Sequence, residues 1–217
     1  MSLASLLFPT KCVLCGRLLE RHEKDLCDDC RVNAPVCPVS RIKLPFIHGW
    51  VALWRYEDHA RTSILRYKFQ NRRSYAKSYG RLLAYKLLQE YPEGFDLITW
   101  VPISALRKVS RGFDQVELLA KVVGVYLQQK PLRILKKIRH NRPQSGIIGQ
   151  AHRKANVLGA YKVIHEQQLT GKRVLLLDDI ITTGATAGEC ARMLLTAGAK
   201  EVIVGAVAAA RHDVKTK

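Results

Sequence analysis

Acidic residues are scarce in this chain of 217 residues: 18 Asp and Glu face 36 Lys and Arg, a formal charge of +18 with histidine neutral. Long apolar runs are missing too. The longest, Val202 to Ala210, has nine residues, far short of the about 20 that a membrane-spanning helix needs. A secretory leader is not expected. The start, Met1-Ser-Leu-Ala-Ser-Leu-Leu-Phe-Pro9, has no cationic lead and meets Pro9 and Lys11 before an apolar core of about 7–15 residues can form. A cytoplasmic location is therefore expected, where cysteines serve as metal ligands or free thiols more readily than as disulfides. Repeats and low-complexity tracts are absent, and aromatic residues make up only 7%, a weak signal for stacking platforms along a single strand. With 47% apolar and 25% charged residues, disorder and fibrous classes are excluded and a packed core is expected.

The positive charge is concentrated. Residues 101–160 hold twelve Lys and Arg against Asp114 and Glu117 as the acids. Such a block attracts polyanions: nucleic acid, an acidic membrane surface or a phosphorylated small molecule. A solvated basic surface is the bland alternative, and charge alone does not decide among them.

Five of the six cysteines fall within the first 37 residues, which points to a small module over residues 1–45 and a larger domain over 46–217. Pro35-Val-Cys-Pro38 and Pro45 read as a connector with turn or extended character. Beyond it, Ile64 to Tyr91 carries leucines at helical spacing among basic residues, so one or two amphipathic helices are expected. Strands are expected over Asp96–Val101, Arg173–Leu177 and Val202–Ala208, with helices over Val116–Leu127 and Ala185–Leu195. Continuously apolar strands alternating with helices predict an α/β fold with a parallel sheet covered on both faces.

Cys12-Val-Leu-Cys15 and Cys27-Asp-Asp-Cys30 form C-x2-C-x11-C-x2-C. Two such knuckles bring four thiolates to the corners of a tetrahedron, and Gly16 allows the tight turn that a knuckle needs. Four thiolates leave a Zn²⁺ ion no open position, so a structural zinc is expected in a zinc-ribbon-like module. Cys37 has no cysteine partner nearby and reads as a buried free thiol; His22 reads as a surface residue.

The sharpest feature is Val174-Leu-Leu-Leu-Asp178-Asp179-Ile-Ile-Thr182-Thr183-Gly184-Ala185-Thr186. A buried strand delivers two carboxylates to its C-terminal end, and a Thr/Gly turn opens a helix. The turn amides, the Thr hydroxyls and the positive helix end make an anion cradle, and Gly184 permits close backbone approach. Carboxylates beside it suit the vicinal hydroxyls of a phosphorylated sugar such as ribose 5-phosphate. No lysine follows the glycine as in a Walker A loop, and the G-x-G-x-x-G dinucleotide fingerprint is absent.

At these residues the chain resembles the type I phosphoribosyltransferases. That resemblance implies that Asp178 and Asp179 bind the ribose hydroxyls of phosphoribosyl pyrophosphate (PRPP) and assist Mg²⁺, while Thr182, Thr183, Gly184, Ala185 and Thr186 hold the 5′-phosphate. Further stretches resemble the ComF family of competence-associated proteins, including its GntX-like members: Leu6-Leu-Phe-Pro ahead of Cys12, Arg111-Gly-Phe-Asp-Gln115, Arg142-Pro-Gln144 and Arg153-Lys-Ala-Asn156-Val-Leu-Gly-Ala-Tyr161. Cys37 without a following partner and Asp114, where the family more often has Asn, depart from the pattern. The resemblance implies a role in natural transformation, with single-stranded DNA and competence proteins such as a helicase as partners. In a phosphoribosyltransferase, pyrophosphate leaves ribose C1 through an oxocarbenium-like state whose leaving-group charge needs Mg²⁺ and cations. Arg107, Lys108 and Arg111 after the strand ending at Val101, and Arg142 and Arg153 in a polar, glycine-containing loop over residues 139–155, are the candidate pyrophosphate ligands. No hood for an acceptor base is recognisable, so enzymatic transfer to an acceptor is the alternative to a binding role.

Overall fold

The computed structural model describes residues 10–38, 43–139 and 155–210. Its elements in chain order are α1 (Asp28–Asn33), β1 (Gly49–Arg55), α2 (Asp58–Phe69), α3 (Tyr75–Glu90), β2 (Leu97–Trp100), α4 (Ala105–Arg111) and α5 (Gln115–Tyr126). They continue with β3 (Leu135–Lys137), β4 (Tyr161–Val163), β5 (Arg173–Ile181), α6 (Ala185–Thr196) and β6 (Glu201–Ala209).

Val174-Leu-Leu-Leu177 is apolar at every position because both faces of its strand are covered. Leu175 and Leu177 join the core under α2, α3 and α5, whereas Val174 and Leu176 join the core under α6 and the β3–β4 pair. Among the described residues the main sheet runs β1-β6-β5-β2, all neighbours parallel. The register sets Leu97 beside Val174 and Asp178 beside Ala206. β3 and β4 form a separate antiparallel pair, with Lys136 opposite Lys162.

The predicted strands and helices are present, the Ile64–Tyr91 region as two helices, α2 and α3. One boundary differs: β5 does not stop at Leu177 but continues through both aspartates to Ile181. The acids thus keep the strand's alternation, in which neighbours point to opposite faces. β1 and the β3–β4 pair were not foreseen: β1 lies beside the connector, and β3 and β4 are three residues each.

The cysteine-bearing segment packs onto the sheet's helices. Cys12, Val13, Leu14, Cys27 and Cys30 are buried in one cluster with Ile64, Tyr67, Tyr79 and Leu83. Ser63 donates to the Val13 carbonyl and Arg66 to that of Leu14, while Arg81 of α3 makes a buried ion pair with Asp25. The connector then crosses toward α6: Cys37 donates to the Leu53 carbonyl at 3.0 Å, and Leu44 lies against Gly184.

Candidate functional site

The C-terminal ends of β2 and β5, with the segments that follow them, build the site, as open parallel sheets commonly do. Thr182, Thr183, Ala185 and Thr186 are half-buried, and Gly184 is buried. Gly184 sits at φ +73°, which strains any other residue, and a Cβ there would lie 3.0 Å from the Leu44 side chain, a tight approach. It occupies the N-cap of α6 with no side-chain cap, and the first turn closes through Gly188 N–H to the Gly184 carbonyl at 2.7 Å. Thr183 Oγ1 accepts from the Ala185 amide at 3.4 Å. This helix entry suits an anion.

Strand alternation separates the two acids. Asp179 faces α2 and α5, where Lys68 Nζ lies 2.9 Å from Oδ1 and Gln115 Nε2 donates to Oδ2 at 2.8 Å. Asp178 faces the other layer; its Oδ1 accepts the Asp179 amide at 2.8 Å. Burial and then the charge of Asp179 push the Asp178 carboxyl above the usual range, while Lys68 and Lys137 oppose the shift. Lys137 of β3 stacks over the Tyr161 ring at 5.1 Å and hydrogen-bonds its hydroxyl at 3.2 Å. Burial, with Arg107 adding repulsion, lowers the Lys137 ammonium to about 8. Each acid therefore has a lysine on its own side of the sheet.

Among the basic candidates, Arg111 stacks over Phe69 at 4.9 Å, half-buried, and feels the charge of Asp179. Arg107 repels both Arg111 and Lys137 electrostatically. Lys108 turns away to Glu117 at 3.1 Å in an exposed ion pair. Arg142 and Arg153 lie outside the described residues. Asp114 caps α5: Oδ1 accepts the Val116 and Glu117 amides at 3.0 and 3.1 Å, and Oδ2 accepts the Ile103 amide at 3.4 Å. It thereby ties the segment after β2 to α5; an Asn could cap the helix as well, but its amide nitrogen could not accept from Ile103.

Lys68, Gln115 and Lys137 were not singled out from the sequence. Lysines within amphipathic elements read as solvated charge, and only Gln115 lay within a quoted motif. The capping role of Asp114 was not read from the sequence either, although Asp114-Gln-Val-Glu117 has the capping-box spacing that signals it.

At the other pole, the thiols of Cys12, Cys15, Cys27 and Cys30 all lie within 4.8 Å of one another. The Cys15 and Cys27 sulfurs are 3.7 Å apart, close to the about 3.8 Å edge of a tetrahedron with Zn–S near 2.3 Å. The Arg17 amide points to Cys15 Sγ at 3.5 Å and the Cys30 amide to Cys27 Sγ at 3.4 Å. The donor set, spacing and amide support fit a zinc ion. His22 is exposed and pairs with Asp28 at 2.9 Å, and Cys37 is buried with a free thiol.

The phosphoribosyl transferase domain family model matches residues 81–217. Competence protein F of Haemophilus influenzae is 26% identical over 94% of this chain and 98% of its own length. Competence protein ComFC of Streptococcus pneumoniae is 29% identical, covering 88% of this chain and 96% of that protein. The DNA utilization protein YhgH of Escherichia coli is also 29% identical, over 89% of this chain and 87% of its own. Among solved structures, the glutamine PRPP amidotransferase from B. subtilis overlays 66% of this chain at 25% identity with a TM-score of 0.44, and this chain covers 30% of that larger one. With a family match over more than half its length and these relatives aligned along most of it, the chain belongs to the phosphoribosyl transferase domain family, as a ComF-type member.

Proposed function

We propose that this protein binds PRPP or a related ribose phosphate together with Mg²⁺, and that it supports the uptake or handling of single-stranded DNA in natural transformation. One observation carries the ligand half: a strand that ends in two buried acids runs directly into a Thr/Gly turn with Gly184 at φ +73° and the N-terminus of α6. Sugar hydroxyls would meet Asp178 and Asp179, and the 5′-phosphate would sit on residues 182–186. Mg²⁺ keeps much of its hydration and is held by one or two carboxylates plus substrate phosphates. The donors present fit that habit, with Asp178 and Asp179 as its holders. When bound, the ion would neutralise leaving-group charge. Arg107 and Arg111 would meet the pyrophosphate; Lys108, Arg142 and Arg153 remain candidates of the same proposal.

The DNA half rests on the competence and DNA-utilization names of the relatives and on a charge of +18, more than one small ligand requires. A cytoplasmic site of action and competence partners such as a helicase belong to this reading. The Cys12–Cys15–Cys27–Cys30 cluster is assigned a structural zinc, with residues 1–45 as the metal module and 46–217 as the phosphoribosyltransferase-like domain. The alternative is an active phosphoribosyltransferase with an unidentified acceptor.

The test is calorimetric titration of Mg–PRPP into wild type and Asp178→Asn/Asp179→Asn, with single-stranded DNA binding followed across a salt series and pyrophosphate release monitored. Saturable PRPP binding lost in the variant, and DNA binding that weakens steeply with salt, support the proposal. No PRPP binding by wild type overturns its first half. A shallow salt slope overturns the second, and base-dependent pyrophosphate release favours the transferase.

A further inference from the structure

Gln115 is 2% exposed and begins α5 at the floor of the site. Its backbone is pinned: Tyr67 Oη donates to its carbonyl at 2.6 Å, and Asp114 caps the helix beside it. Its side-chain nitrogen donates to Asp179 Oδ2. A carboxylate only accepts, so this contact fixes which end of the amide donates to Asp179 and leaves Oε1 as the end still to be matched. Oε1 is buried and has no hydrogen-bond partner in the protein. A buried acceptor left unmatched is costly, and here it belongs to the side chain that pairs with Asp179.

The group that would satisfy it must donate. Phosphate oxygens of a fully ionised ligand cannot. A sugar hydroxyl can, and a hydroxyl can also accept from Lys68, whose ammonium lies on the other oxygen of Asp179. We propose that Gln115 is a specificity-determining residue whose buried carboxamide oxygen accepts a hydrogen bond from a ribose hydroxyl next to Asp179, so that the site selects ribose phosphates over deoxyribose phosphates. This rests on the reading that the site takes a ribose phosphate, and it adds how the sugar is read. A site built to pair with a hydroxyl rejects the analogue that lacks it, because the buried partner is then stranded.

The test measures dissociation constants for ribose 5-phosphate and its 2-deoxy and 3-deoxy analogues with the full chain by calorimetry. Wild type is expected to bind ribose 5-phosphate at least about tenfold more tightly than one of the two analogues, the scale of one unmet buried hydrogen bond. Gln115→Met, which keeps the bulk and removes the acceptor, should cut that ratio by about fivefold or more, the share of discrimination left over coming from the carboxylates. Gln115→Asn, which withdraws the same amide by one methylene, provides a second variant should the first fail to fold. Discrimination that is equal in wild type and both variants overturns the proposal, as does a wild type that treats all three sugars alike; either result assigns the oxygen to a water. Failure of wild type to bind any of the three, or PRPP, removes the underlying reading instead.

Discussion

Arg81→Met should be among the most destabilising single substitutions outside the site, through a charge it leaves behind. Arg81 and Asp25 are each 7% exposed, and Arg81 Nε lies 2.6 Å from Asp25 Oδ2. Asp25 belongs to the cysteine-bearing segment, where its carbonyl accepts the Val13 amide at 2.8 Å, and Arg81 belongs to α3. Truncating Arg81 leaves the Asp25 carboxylate in a buried joint without its ion-pair partner, with Ser78 and the charges of Arg31 and Lys77 as its remaining support, and breaking such a pair costs up to about 3–5 kcal/mol. A chain of this size loses about 2–4 °C of melting temperature per kcal/mol, so a fall of up to about 6–20 °C is expected. Arg81→Met/Asp25→Asn removes the lone charge while keeping the shape, and Asn tolerates the left-handed backbone at this position, where φ is +65°. Replacing both partners of a buried pair is often near neutral, so the double variant should recover most of the loss. Urea and thermal unfolding of the four proteins of the cycle measure this. A loss below about 1 kcal/mol for Arg81→Met, or additive losses in the double variant, would refute the claim that the pair bears on the joint.

Elemental analysis should find one zinc per chain, and Cys27→Ser or a strong chelator should lower the melting temperature of the whole chain in a single transition, because Val13 and Leu14 share a core with α2 and α3; a metal-free folded protein, or a module that melts by itself, speaks against this. Protons should be released when Mg–PRPP binds, because Asp178 takes up a proton above the usual carboxylate range and must give it up to accept from the sugar. Affinity should therefore rise with pH up to the raised value and then level off. The same raised value contributes stability to the ligand-free protein that is fully present below the ordinary carboxylate range and is lost as pH rises through the raised one. Calorimetry in two buffers of different ionisation enthalpy reads the release directly, and identical heats would contradict it.

The cradle and the cysteine cluster were legible in the chain because their chemistry is contiguous. A tight turn after a buried strand, or two knuckles of fixed spacing, brings its own donors together without help from distant residues. Lys68 and Lys137 were not legible. Lys68 reaches Asp179 from 111 positions away, and nothing in an amphipathic helix marks which of its lysines turns inward. The opposite orientation of Asp178 and Asp179 was also hidden, since it depends on β5 continuing to Ile181 and not ending at Leu177. The connector prolines promised a link of turn or extended character, whereas Leu44 closes against Gly184 of the Thr/Gly turn.

The sequence by itself determined the α/β class, the order of the strands and helices around the acids, the Thr/Gly turn that follows them and the grouping of the four cysteines, because local periodicity and spacing suffice for these. Only the tertiary structure decided which cations attend which acid, that Gln115 lies buried with an unmatched oxygen, and that the cysteine segment shares its core with α2 and α3. The physical reason is the same in each case. Burial and charge pairing act between surfaces that the chain brings together only when the sheet is covered on both faces.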